Sequence, residues 1–193
     1  MQLIGTVAPH RPLLVLAVPE EAAHLGTDLP VLLTGIGKVN AAAALATVLA
    51  SGPRPTEVVN LGTAGALRAG LDGKIHQVAT VLEHDLDTSV LAALTGRSQG
   101  GPLTVAEAGL TLATGDLFVS EPGARARLAE LADLVDMEGY ALASVAQRVG
   151  VPVRLVKYVS DQAGEGADRA WRDSVDDCAR HLAAWVHAEL GER

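Results

Sequence analysis

The sequence predicts an α/β protein: a three-layer sandwich in which helices flank a central, mixed and mostly parallel sheet. Short continuous apolar runs alternate with helical patterns along nearly the whole chain. That alternation is typical of a sheet covered on both faces by helices. The chain has 193 residues, 49% of them hydrophobic, which is enough for one full core. We interpret residues 1–193 as a single domain without repeats or linkers.

The predicted strands are short, mainly apolar runs, and Leu13–Val18 is continuously apolar, as suits a strand buried on both faces. They are Leu13–Val18, Val31–Thr34, Val58–Leu61, Val78–Leu82, Leu110–Thr114, a short run at Leu134 and Val135, and Val153–Val159. The predicted helices follow from apolar spacing and from start and stop signals. They are Lys38–Ala50, a helix that Ser120 caps and that ends near Leu131, Met137–Val149, and Ala167–Glu189. We interpret Asp87–Glu107 as a loop with a short helix near Val90–Leu94.

Composition argues against several classes of function. A net charge of −8 without a basic block disfavours nucleic-acid binding, because phosphates require Lys and Arg. The sequence contains no run of 18 apolar residues, so it predicts no membrane span. The acids after Pro19 do not resemble a signal-peptide cleavage site. A single cysteine, Cys178, suits a reducing cytoplasm. The scattered histidines lack metal-site spacing, so we expect neither a metal nor a cofactor.

Two carboxylates follow predicted strands. Glu138 comes just after the run at Leu134 and Val135, and Asp161 comes just after Val153–Val159. In a parallel α/β sheet, ligands bind beyond the carboxyl ends of the strands. One acid there could hold sugar hydroxyls while the other protonates a leaving group. Alternatively, both are helix N-terminal residues favoured by the helix dipole.

Both acids belong to a series of motifs that spans most of the chain, from about Leu13 to Trp185. The motifs are Leu14–Glu21, Thr34–Ala43, Asn60–Ala66, His84–Asp87, Thr114–Phe118, Asp136–Gly139 and Val159–Asp161. In this order they resemble the purine nucleoside phosphorylase and nucleosidase superfamily, and within it most closely the methylthioadenosine/S-adenosylhomocysteine nucleosidases. The resemblance implies a nucleoside phosphorylase-like fold. It also implies hydrolysis of the N-glycosidic bond of an adenine nucleoside with a 5′-substituent.

By this resemblance, Asp161 protonates the leaving purine at N7 and accepts a hydrogen bond from its 6-amino group. The pocket would have to desolvate the carboxyl to keep a proton on it near neutral pH. Glu138 would accept the ribose 2′- and 3′-hydroxyls, with Met137 packed on the sugar. Gly65 and Ser160 belong to the same expected set of substrate-binding residues.

The resemblance also assigns the nucleophile. Glu21 would deprotonate the attacking water; the neighbouring Glu20 is the alternative base, because Pro19 leaves the register open by one residue. We prefer Glu21, which precedes an apolar helix face. Thr63, in a predicted turn after the third strand, and Lys157 would complete the set of groups that surround the attacking water. Lys157 is a point charge where many nucleosidases have Arg, and a surface position at a strand end is its alternative.

The purine ring of the substrate would lie between Phe118 and the backbone of Val119. Phe118 would pack on the purine face, and the Val119 amide and carbonyl would read the Watson–Crick edge. Ordinary core packing is the alternative for Phe118.

Asn60 separates hydrolysis from phosphorolysis. Phosphorylases of the superfamily have Arg near this position, because phosphate favours a guanidinium. With Asn60 here and two acids at Glu20 and Glu21, we expect water to be the nucleophile. The alternatives are a phosphorylase and a nucleoside-binding module without turnover.

The region Asp87–Gly109 is shorter than the matching region of typical nucleosidases, and it contains no aromatic residue. Relatives use this region to close over the ribose 5′ side and to dimerise. The 5′-substituent therefore stays open between methylthio, homocysteinyl, hydroxyl and a futalosine group. We expect a homodimer with a small-molecule nucleoside substrate, and no nucleic-acid or membrane partner.

Overall fold

The fold is α/β, as predicted, with a sheet flanked by helices. The computed structural model describes residues 1–26, 28–98 and 100–191. Within them the strands are β1 (Gln2–Ile4), β2 (Leu13–Leu16), β3 (Val31–Leu33), β4 (Val58–Ala66), β5 (Ile75–Glu83), β6 (Leu103–Thr104), β7 (Leu110–Thr114), β8 (Leu134–Asp136) and β9 (Val153–Asp161). The helices are α1 (Lys38–Ser51), α2 (Thr88–Thr95), α3 (Pro122–Ala129), α4 (Gly139–Arg148) and α5 (Ala167–Leu190).

The strands form one mixed sheet in the order β1-β3-β2-β4-β8-β7-β5-β6, and β9 pairs with both β4 and β5. Five pairings in the described residues are parallel: β2–β3, β2–β4, β4–β9, β5–β7 and β7–β8. Four are antiparallel: β1–β3, β4–β8, β5–β6 and β5–β9. Because β9 joins β4 to β5, the strands β4, β8, β7, β5 and β9 close into a ring.

Two apolar cores give the three layers. On one side α1 and α4 pack on the sheet, with Leu45 and Leu142 against Leu155 of β9. On the other side α5 packs on β4 and β9, with Leu182 against Leu61. Each core follows from the apolar stripe of its helices, since a half-apolar helix must bury that stripe against the sheet.

The strands that carry the candidate site run further than predicted. A turn was expected from Gly62 to Gly65, but β4 continues through it to Ala66, and β9 extends to Asp161. Pairing between β4 and β9 covers this stretch, with a bulge between Ala64 and Gly65. Glycine inside a strand marks a close approach of neighbouring atoms. A Cβ on Gly62 would lie 3.3 Å from Glu21 Oε1 and 3.5 Å from Lys157 Nζ.

Other predictions of local structure were also wrong, either in where an element begins or in whether it forms. β1 was not expected; it is an exposed edge strand of three residues, too short to give a period. The helix expected after Glu21 is a series of turns. Helix α3 begins at Pro122 with Glu121 rather than Ser120 as its N-cap, and α4 begins at Gly139 rather than Met137. The predicted loop after Asp87 contains the short strand β6.

No helix in the described residues is long and apolar enough to span a bilayer.

Candidate active site

A pocket of about 250 Å³ opens where β4, β8 and β9 end beside the segments that follow β2 and β7. All ten residues singled out from the sequence line it: Glu21, Thr63, Gly65, Phe118, Val119, Met137, Glu138, Lys157, Ser160 and Asp161. They come from five separate segments of the chain. The fold therefore brings the whole predicted set together around one cavity.

Glu21 lies in the wall of the pocket and is only 4% exposed. Its Oε1 accepts hydrogen bonds from the Thr63 backbone N–H and the Thr63 hydroxyl, both at 2.8 Å. Its Oε2 accepts a longer bond, 3.3 Å, from the Ala17 N–H. Glu20 is exposed and does not line the pocket. Of the two acids, only Glu21 is placed to act on a ligand there.

Lys157 is fully buried, so the alternative of a surface lysine at a strand end is wrong. Its ammonium lies 2.8 Å from Asp136 Oδ2. Asp136 also accepts hydrogen bonds from the Thr114 hydroxyl at 2.6 Å and the Gly139 N–H at 2.9 Å. Burial lowers the pKa of Lys157, but the negative charges of Asp136 and Glu138 outweigh it and raise that pKa above its usual value. The side chain is therefore a buried cation.

Replacing Lys157 with Met is expected to destabilise the fold by about 3–5 kcal/mol, because Asp136 would stay buried without its counter-charge. Urea unfolding would measure the change. The matched control is Arg154→Met on the same strand, whose guanidinium pairs with Glu57 at 2.6 Å in a partly exposed setting. That control should lose no more than about 1 kcal/mol. Equal losses in the two variants would contradict the role of Lys157 as the main charge partner of Asp136.

Glu138 is the N-cap of α4 and is buried in the pocket wall. Its Oε1 accepts a hydrogen bond from the Gly37 N–H at 2.8 Å. Gly37 has a φ of 95°, a backbone conformation that favours glycine. Desolvation by burial, and then the charge of Asp136, raise the pKa of Glu138 from 4.5 to about 8, although Lys157 opposes the shift.

This raised pKa predicts that Glu138 makes stability depend on pH. Between pH 4.5 and about 8 the folded state holds a proton on Glu138 that the unfolded chain has released. Stability must therefore fall as pH rises through this window. Glu138→Gln cannot ionise, so its Tm relative to the unsubstituted protein should improve steadily from pH 5 to pH 8.5. A Tm difference that is constant over this range would rule out the shift.

The loop that holds Glu138 is itself anchored. The Lys38 backbone N–H donates to Asp116 Oδ1 at 2.8 Å, and the Asp116 N–H donates to Asp85 Oδ2 at 2.8 Å. The Lys38 ammonium lies 2.5 Å from Asp85 and 2.6 Å from Glu83. These bonds connect the loop at Gly37, which contacts Glu138, to the segment at Asp116 that leads into Phe118.

Asp161 is the last residue of β9 and is half-buried. Its Oδ1 accepts from the Ala163 N–H and its Oδ2 accepts from the Ser160 hydroxyl, both at 2.8 Å. Gly65 leaves the room for this carboxyl, because a Cβ there would lie 2.9 Å from the Ala163 Cβ and 3.1 Å from Asp161 Oδ1. The carboxyl is thus held in one orientation at the pocket wall.

Apolar side chains also line the pocket. Phe118 is 48% exposed, so its alternative as an ordinary core residue is wrong; Val119 beside it is buried. Met137 lines the pocket, as do the exposed side chains of Ile36 and Leu117. These side chains offer a flat apolar ligand a surface in the same pocket as Asp161.

Sequence reasoning missed two participants. Trp171 of α5 lines the pocket, and its indole Nε1–H donates to the Thr63 hydroxyl oxygen at 2.9 Å. The sequence placed Trp171 on the apolar stripe of a helix, where periodicity cannot distinguish a pocket residue from a core residue. The second is Asp136, whose position beside Glu138 in one motif was a signal that could have indicated it.

Comparison with known proteins identifies the family. The profile of the phosphorylase superfamily matches residues 74–190. A protein of Geobacillus sp. (strain WCH70) described as 5′-methylthioadenosine/S-adenosylhomocysteine nucleosidase is 31% identical over 187 residues, which cover 83% of this chain and 79% of the relative. This chain belongs to the phosphorylase superfamily. The resemblance inferred from the motifs, to the superfamily and to these nucleosidases within it, is confirmed.

Other members of the phosphorylase superfamily agree. A Marinomonas sp. (strain MWYL1) nucleosidase of the same description is 31% identical over 190 residues, covering 86% of this chain and 81% of its own. The structure of a futalosine hydrolase mutant of Helicobacter pylori superposes with a TM-score of 0.84 at 20% identity, over 96% of this chain and all of that one. The Streptococcus pneumoniae MTA/SAH nucleosidase in complex with 8-aminoadenine gives 0.81 at 22%, over 94% and 99%. At such identities the two structures support the fold alone.

Proposed function

We propose that this protein hydrolyses the N-glycosidic bond of an adenine nucleoside that carries a 5′-substituent. The observation that supports it most is the presence of Glu21, Glu138 and Asp161 around one pocket, each held by hydrogen bonds to the protein. These three acids can serve the nucleophile, the sugar and the leaving base. The relatives described as nucleosidases support the same reaction.

The proposed reaction combines attack of water on C1′ with two proton transfers. Water attacks C1′ and gives a proton to Glu21 while the bond from C1′ to the purine N9 breaks. Asp161 donates its proton to N7 of the leaving base, so adenine departs as a neutral molecule. Such proton transfers contribute roughly 10²–10⁴-fold each to the rate. The free sugar is the second product.

Glu138 is proposed to hold the ribose. In the empty pocket at pH 7, below its pKa of about 8, this carboxyl carries a proton. It can therefore donate to one of the two ribose hydroxyls and accept from the other, where the sequence suggested a carboxylate accepting from both. Met137 beside it offers an apolar surface to the sugar.

Water is favoured over phosphate by the charges around the pocket. Asn60 is buried, and its amide donates to the Val15 carbonyl at 3.1 Å and the Leu61 carbonyl at 3.3 Å. It ties β2 to β4 and offers no positive charge. The buried cation Lys157 is already paired with Asp136, and Glu21 adds negative charge beside it. A phosphate dianion would be repelled there.

The experiment is chromatography of purine release from a panel of nucleosides, with and without phosphate. The panel contains adenosine, methylthioadenosine, S-adenosylhomocysteine, futalosine and inosine. We expect adenine and a free reducing sugar from 5′-substituted adenine nucleosides, at a rate that phosphate does not change. Ribose 1-phosphate products would support the phosphorylase alternative, and binding without release would support a nucleoside-binding module.

We also propose that the protein acts as a homodimer. Apolar side chains are exposed at the pocket (Ile36, Leu117 and Phe118), at Val39 of α1, at Val90 and Leu94 of α2, and at Leu86 just before α2. Val90 and Leu94 lie one turn apart on α2, and an exposed apolar helix face of this kind favours an interaction surface. Sedimentation should give a dimer. A monomer that is fully active at nanomolar concentration would reject the proposal.

A further inference from the structure

Trp171 fixes the direction of a chain of hydrogen bonds that ends on Glu21. An indole N–H can only donate, and Trp171 Nε1 lies 2.9 Å from the Thr63 hydroxyl oxygen. That oxygen therefore accepts from Trp171. The hydroxyl proton of Thr63 is left to point to its other neighbour, Glu21 Oε1, 2.8 Å away.

The two oxygens of Glu21 are consequently unequal. Oε1 accepts two short bonds, from the Thr63 amide and the Thr63 hydroxyl. Oε2 accepts one longer bond, 3.3 Å, from the Ala17 amide. Donors stabilise the charged form of a carboxylate. Glu21 therefore accepts hydrogen bonds as a carboxylate, and Oε2 is the oxygen with a lone pair left to accept a proton.

We propose that Trp171 is a positioning residue for the general base, and that it acts through the Thr63 hydroxyl to orient Glu21 so that Oε2 receives the proton of the attacking water. This rests on the proposed nucleosidase function. When the O–C1′ bond forms and the C1′–N9 bond breaks, the proton of water moves to Oε2. Oε1 keeps its two donated bonds throughout the step.

The chain offers a matched pair of variants to test this. Trp171→Phe keeps a ring in the pocket wall and removes the indole donor. Trp185→Phe is the control, since Trp185 lies on the same helix and packs against Arg154, with the guanidinium carbon 5.3 Å from the ring centroid. We expect kcat to fall about threefold to tenfold for Trp171→Phe, as for the loss of one hydrogen bond. The Trp185→Phe variant should keep its kcat.

The pH profile supplies a readout that simple loss of structure would not move. Without the Trp171 donor the Thr63 hydroxyl can turn away, and a carboxylate that loses a donor binds a proton more readily. The acid limb of kcat/KM should therefore shift to higher pH in Trp171→Phe. An unshifted limb would overturn the proposal even if kcat fell.

A double-mutant cycle tests whether Trp171 acts through Thr63. Thr63→Val removes the hydroxyl at nearly constant volume, and adding Trp171→Phe to it should cause no further loss. Thr63→Ser, which restores a hydroxyl, should recover most of the activity. If Trp171→Phe costs as much in the Thr63→Val background as alone, Trp171 acts directly on the substrate and the proposed relay is wrong.

A spectroscopic measurement separates this proposal from the proposed function. In ¹⁵N-labelled Trp185→Phe protein a single indole N–H resonance remains, and Thr63→Val should move it upfield as the hydrogen bond is lost. If that resonance moves but the unsubstituted protein releases no purine, the proposed function fails while the hydrogen bond stands. An indole resonance unaffected by Thr63→Val would overturn the relay, whatever the activity.

Discussion

Asp161→Asn is expected to lower kcat on an adenine nucleoside by at least about 10²-fold, the lower end of what a general acid supplies. The amide has nearly the same shape and can still accept from the Ala163 N–H, which Asp161 Oδ1 contacts at 2.8 Å. It has no acidic proton to give to N7. The measurement is steady-state kinetics of adenine release, with thermal unfolding to show that the variant folds.

A substrate with an activated leaving group makes the test specific. A nitrophenyl riboside departs as a stable anion and needs no protonation, so Asp161→Asn should affect its hydrolysis far less. Ser160→Ala is the matched control, because it removes the donor to Asp161 Oδ2 and leaves the carboxyl itself in place. Equal losses on both substrates, or near-normal kcat on the purine nucleoside, would contradict a leaving-group role.

Glu21→Gln is expected to lower kcat by about 10²-fold or more while leaving the affinity for a nucleoside analogue within a few-fold. The Gln carbonyl can keep the bonds from Thr63 that Glu21 Oε1 now accepts. The variant thus removes the base and preserves the pocket. Calorimetry of analogue binding, together with the rate of adenine release, would separate the two effects.

Glu20→Gln is the control for Glu21, because it makes the same chemical change one residue earlier, at an exposed position. It should leave kcat unchanged. If Glu20→Gln removed the activity and Glu21→Gln did not, Glu20 would be the general base. The reaction would then take place outside the pocket described here.

The sequence predicted the fold class because mainly apolar runs alternate with helical patterns, and Leu110–Thr114 was located to the residue. It predicted the set of pocket residues because the strand ends carry motifs of one superfamily. It missed the full length of β4 because Gly62 and Gly65 are turn signals locally, whereas pairing with β9 decides the structure. Glycine serves there to admit neighbouring side chains, which no local pattern reports.

Burial and partners were less predictable than position. Lys157 reads as a strand-end charge until Asp136, on another strand, is known to lie 2.8 Å from it. The role of Trp171 likewise depends on Thr63, far away in sequence, at the end of its hydrogen bond. Contacts of this kind depend on the tertiary fold, and apolar periodicity gives the same pattern with or without them.

The position of β9 has a consequence for how the protein is made. This strand enters between β4 and β5 and completes the ring, and it also carries Lys157 and Asp161. Such pairings are distant in sequence and form slowly. A chain emerging from the ribosome makes β4, β5, β7 and β8 before this strand, and until β9 is made it lacks the cation that pairs with Asp136 and the proposed leaving-group acid. We therefore expect the sheet of the nascent chain to stay open, and the proposed site to stay incomplete, until β9 has been synthesised.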